Sequence, residues 1–137
     1  MTTPANDPVR AWLAARGCGE HVVAGGLEGL VDTWGRVVGE VARGYPLTLD
    51  DYLNDLDARD LLDRAIALAS DVQRDGLAER LAAIDQRFRA LTKPSACLWG
   101  EEVAADEAWT AEREWWYFAK PKHPGPDLAE DLARAGL

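Results

Sequence analysis

Trp99, Trp109, Trp115 and Trp116 are interleaved with Glu101, Glu102, Asp106, Glu107, Glu112 and Glu114. Aromatic faces attract cations and stack on sugars, and carboxylates add charge and hydrogen bonds, so this mixture suits a cationic or carbohydrate ligand. Paired carboxylates do acid–base work only where their surroundings separate their pKa values, a property no spacing specifies. The commoner roles are solvated loop acids and rings that close the core of a small helical domain. The stretch EREWWYF, Glu112 to Phe118, poses the choice most sharply. Read as a strand, it sends Trp116 and Phe118 into the core and leaves Trp115 and Tyr117 as an exposed pair beside Glu112 and Glu114. The candidate binding residues are therefore Trp115, Tyr117, Glu112, Glu114, Trp99 and Trp109.

Two other constellations carry weaker chemistry. Cys18 and His21 have the spacing of a zinc half-site that Cys97 and His123 would have to complete, but the second half lacks knuckle spacing. The same residues give a Cys–His pair without a third group to orient the base. No catalytic residue and no metal ligand is assigned, no cofactor is expected, and both cysteines are read as free thiols. The acidic run Asp50, Asp51, Asp55, Asp57, Asp60 and Asp63 lacks the glycine-containing spacing of an EF-hand and reads as a capped, solvated helix face.

These residues sit in a chain of 137 residues, enough for one domain with its own core. The composition, 47% hydrophobic and 28% charged, is that of an ordinary soluble domain. Acidic residues outnumber basic ones by 24 to 15, giving a net charge of −9 that disfavours a phosphate backbone and favours a basic protein or cationic ligand. There is no leader-like N-terminus and no apolar run approaching the ~20 residues that span a bilayer, so no membrane contact is expected and the cytoplasm is the default location. Arg and Ala usage hints at a GC-rich bacterial genome.

The elements that must hold the candidates read as helices. Asp7-Pro8 opens the first, ending at Gly17. Apolar residues from Val23 to Val41, with Trp34 in mid-stripe, mark a long second helix from Glu20 to Gly44, whose glycines imply close approach of another backbone. Asp60 falls where the stripe of Tyr52, Leu53 and Leu56 should continue. That offset predicts two short helices, capped by Thr48 and by Asp57, rather than one that buries a carboxylate. Ser70 to Gly76 reads as a turn, and Leu77, Leu81, Ile84, Phe88 and Leu91 form a seam stopped at Lys93-Pro94. Beyond it ACLW and WWYFAK could pair as antiparallel strands, although a helix over 106–118 is almost as good a reading. Pro126 opens a last short helix with Leu128 and Leu132 inward. Residues 1–6 and 120–137 are expected to be loosely attached tails.

The combination of GYPLTLDDYLNDLDARDLL, RFRALT, CLWG and WWYF resembles a bacterial family of small proteins with no assigned function, over most of residues 30 to 120. The resemblance implies no activity, cofactor or catalytic residue. The sequence therefore predicts an all-α single domain of about five helices with a small aromatic C-terminal appendage, a two-stranded hairpin being one form. The leading functional expectation is a non-catalytic protein-interaction or regulatory protein with an acidic surface, of inhibitor, immunity or antitoxin type. The alternative is a small-molecule-binding protein or enzyme with a Trp-rich pocket and nearby carboxylates. A deep pocket with converging polar groups favours the alternative, and a convex acidic face the former.

Overall fold

The computed structural model describes residues 7–137, and the expected N-terminal tail 1–6 lies outside them. The described residues form an all-α bundle of six helices with a two-stranded antiparallel hairpin. α1 spans Pro8–Ala15, α2 Glu20–Ala42, α3 Leu49–Leu68, α4 Asp71–Leu91, α5 Glu101–Glu107 and α6 Pro126–Arg134. The strands are β1, Thr92–Pro94, and β2, Ala119–Pro121, and a 3-10 turn covers Trp115–Phe118.

α1 starts where sequence placed it: the Asp7 carboxylate accepts from the backbone N–H of Val9 and Arg10 at 3.0 and 3.1 Å. α2 buries Leu27, Leu30, Val31, Trp34, Val37, Val38 and Val41, and Trp34 is fully buried as its mid-stripe position demands. Its glycines do not serve close backbone packing. A side chain at Gly25 or Gly29 would meet open space and one at Gly35 only the end of Ile84, whereas Gly26, at φ 58°, kinks the helix. Only glycine takes that conformation readily. Arg10 reaches across from α1 to donate to the Ala24 carbonyl near the kink at 2.8 Å.

α3 corrects the expected pair of short helices. Thr48 and Asp51 form the predicted capping box, but the helix then runs unbroken to Leu68 and Asp57 caps nothing. The offset stripe is accommodated because Asp60 is only partly buried and is paired at 3.2 Å with Arg64 one turn on. α4 likewise begins earlier than the predicted turn allowed. Ser70 and Gln73 cap it reciprocally, and Gly76 is an exposed interior position. Of its seam only Phe88 is fully buried, the other four residues being half-buried.

The hairpin exists, but its strands are TKP and AKP, with Lys93 opposite Lys120. The predicted partners survive as a fringe: Ser95 and Leu98 donate to the carbonyls of Phe118 and Tyr117 at 2.9 and 2.8 Å. WWYF is neither strand nor α-helix. In a 3-10 turn residues three apart share a face, so the half-buried Trp115 and Phe118 go together and Trp116 and Tyr117 are the buried pair. The expected alternation, with Tyr117 exposed beside Trp115, is thereby overturned. The segment 120–137 also docks. Leu128 and Leu132 are buried, and Asp131 accepts from the N–H of Leu49 at 3.0 Å.

Candidate functional site

The continuous α3 presents Asp57, Asp60, Leu61 and Arg64 on one face, at the three- and four-residue intervals that align side chains along a helix. Opposite them lie Trp99, which precedes α5, and Val103 and Glu107 of α5. Ala108, in the left-handed conformation at φ 57°, ends α5 and turns the chain so that Trp109 folds back over the site. Tyr117 closes the floor and Arg16, past the end of α1, stands at the rim. Together they line a cleft of about 520 Å³.

Its geometry is held by a few specific contacts. The Tyr117 hydroxyl donates to Asp57 Oδ1 at 2.5 Å. The Trp109 ring stacks on Tyr117 with centroids 4.2 Å apart and planes inclined by 22°. Burial, and then the hydrogen bond to Asp57, raises the phenol pKa well above its ordinary value. Burial also holds the Asp60 carboxyl above the usual carboxylate range. Arg64 pulls it back, while Asp57, Asp63 and Glu114 push it further up. The Trp99 indole N–H is buried and has no acceptor among the described residues. Among the described residues Glu107 makes no ion pair, and the Arg16 guanidinium engages only the face of Trp12, at 4.8 Å.

Three of the six residues singled out from sequence, Trp99, Trp109 and Tyr117, meet in this cleft. The other three do not line it. Glu112 is exposed, and Glu114 accepts from the Thr110 N–H at 3.1 Å, tying down the loop before the 3-10 turn. Trp115 lies against Phe88, with Arg89 over its face at 3.9 Å. Sequence reasoning missed Asp57, Asp60 and Arg64 as partners of the aromatics. The signal was the offset of the apolar stripe at Asp60, which marks the place where α3 turns a polar face toward a cleft.

What these groups can do is hold a ligand. Two aromatic walls, an apolar patch at Leu61 and Val103, three carboxylates and two guanidiniums converge, while no Ser, Cys, His or Lys lines the cleft. Cys18 is half-buried and Cys97 buried, and neither is in a disulfide. Among the described residues no group of three His, Cys, Asp or Glu is arranged to hold a metal ion, and no helix is long and apolar enough to cross a membrane. No family model, curated protein or solved structure matches the chain.

Proposed function

We propose that this protein binds a small polar molecule carrying a cationic group, in the cleft between α3 and α5. The observation that carries the reading is the convergence of Trp99, Trp109 and Tyr117 with Asp57, Asp60 and Glu107 around one open volume. Acids exceed bases on the lining, so an ammonium or guanidinium gains from the carboxylates and from the ring faces together, whereas an anion meets net repulsion. A concave, partly apolar site with a few converging polar groups is the usual form of a small-ligand site.

Isothermal titration with choline, arginine methyl ester and spermidine, with a neutral disaccharide as contrast, tests the reading. Saturable binding of a cation is expected, weakened about tenfold by Trp109→Ala, the scale of one desolvated cation–π contact. Preference for the disaccharide would reassign the ligand class, and no binding of any of them would remove the reading.

The second reading, an acidic docking face for a basic protein, is favoured by α5. Glu101, Glu102, Asp106 and Glu107 are all exposed and none makes an ion pair among the described residues. Such a partner would cover the mouth of the cleft and compete with a small cation.

A further inference from the structure

On the far side of the aromatic segment the charge pattern reverses. Residues 86–100 and 115–126, the two stretches that flank and form the hairpin, contain five of the fifteen basic residues and none of the twenty-four acidic ones. All three lysines of the chain are here. Lys93 and Lys120 are direct cross-strand partners. Like charges opposed in this way destabilise a strand pair, and among the described residues neither lysine has an ion-pair partner. Lys122, just past β2, is exposed, and its N–H continues the ladder to the Leu91 carbonyl at 2.9 Å.

Beside this row lies a second cavity, of about 240 Å³, walled by Pro94, Ala111, Trp115 and Phe118 and edged by Arg89 and Lys93. An apolar hollow bordered by unpaired cations is complementary to an apolar side chain flanked by carboxylates. We infer that the hairpin face of this protein docks an acidic segment of a partner protein, with one apolar residue seated between Trp115 and Phe118 and its neighbouring acids on Arg89, Lys93 and Lys120.

Two features favour a polypeptide over a nucleic acid. Arg89 already covers a face of Trp115 at 3.9 Å, so that ring is not a free platform for a base. The strands are three residues long, a basic surface of roughly 10 Å at about 3.3 Å per residue. A nucleic acid strand would run off it onto a protein of net charge −9, losing most of its phosphate contacts. A short acidic segment fits within it.

The test is an NMR titration of the full chain with a synthetic peptide of alternating Glu and Asp around one central Leu. Saturable, salt-sensitive shifts are expected at Arg89, Lys93, Trp115, Lys120 and Lys122 and not in the cleft. Replacing the Leu by Gly should weaken binding about tenfold, the effect of emptying one apolar pocket. Lys93→Glu should abolish binding yet leave the fold intact, because it turns a repulsive cross-strand pair into an attractive one; its melting temperature is expected to match or exceed that of the parent. Unchanged peptide binding by a folded Lys93→Glu variant, no saturable binding to the parent, or tighter binding of a single-stranded oligonucleotide or of phosphatidylserine vesicles at the same ionic strength would each overturn the inference.

Discussion

The guanidinium of Arg59 forks onto the carboxylate of Asp85, with Nε 3.1 Å from Oδ1 and Nη2 3.0 Å from Oδ2. The Trp34 indole N–H donates to the same Oδ1 at 2.8 Å, and the Arg59 guanidinium also lies over the Trp116 ring at 4.8 Å. One acid on α4 thus joins α2, α3 and the aromatic segment. Because α3 carries one wall of the cleft and the aromatic segment its floor, this contact sets the spacing of the site.

Removing Asp85 leaves a guanidinium that is only 7% exposed without its main partner. Asp85→Ala is expected to cost about 3 kcal/mol, the lower end of the range for breaking a buried pair. The double change Arg59→Met with Asp85→Leu is expected to recover much of that loss, because apolar replacements of a buried pair are often tolerated. Urea titration of the three proteins checks both; a loss under 1 kcal/mol for Asp85→Ala contradicts the role given to this pair.

The docking of the C-terminal segment depends on a single glycine. A Cβ on Gly125 would lie 2.6 Å from the Tyr45 carbonyl oxygen and 2.7 Å from that of Gly44, both backbone atoms that cannot swing away. Gly125→Ala should therefore destabilise the protein by about 2 kcal/mol, within the range for forcing an extra methyl group into a closely packed site. Faster proteolysis after residue 122 is expected with it, and wild-type stability and protection would show that the turn can shift freely.

Much of this architecture was legible in the sequence, and the misreadings have physical causes. The caps at Asp7 and Thr48 announce themselves because they satisfy N–H groups through local contacts, whereas the Ser70 cap was read as part of a turn. The kink at Gly26 was hidden among neighbouring glycines, since composition does not say which of them takes a positive φ. Asp60 misled because a helix face was assumed to be either core or solvent, and a cleft is neither. Trp99, Trp109 and Tyr117, the three named residues that line the cleft, were found because aromatics among carboxylates stand out by type. The pairing of Trp115 with Tyr117 on one exposed face was wrong because the alternation of a strand and the three-residue period of a 3-10 turn diverge within four residues.

That difference is measurable. Trp116, fully buried, should cost about 3–5 kcal/mol when changed to Ala, whereas the half-buried Trp115 should cost about 1–2 kcal/mol. Denaturant titration of the two variants decides; equal losses would mean that the 3-10 turn does not separate the faces as described.

Asp60 gives the site a pH dependence of known sign. Its pKa is raised in the folded protein by burial, so the native state holds its proton more tightly than the unfolded chain does. Stability from this group is therefore complete below the unfolded value of about 4 and is lost as pH rises through the folded value. Asp60→Asn should flatten the pH–stability curve in that window, read by thermal melts at stepped pH. A curve that keeps its full slope in the variant assigns the dependence elsewhere. Cation binding in the cleft should strengthen through the same window as Asp60 ionises.

The indole N–H signals of the six tryptophans provide the most direct reading of the cleft. In two-dimensional NMR with choline, arginine methyl ester or spermidine added to millimolar concentration, Trp99 and Trp109 should shift saturably, while Trp34, buried in the bundle, should not. Saturable shifts at Trp99 and Trp109 that are lost in Asp57→Asn/Asp60→Asn protein are the predicted result. Six signals unmoved by every cation, or movement confined to Trp115, would contradict the assignment of the cleft as a cation-binding site.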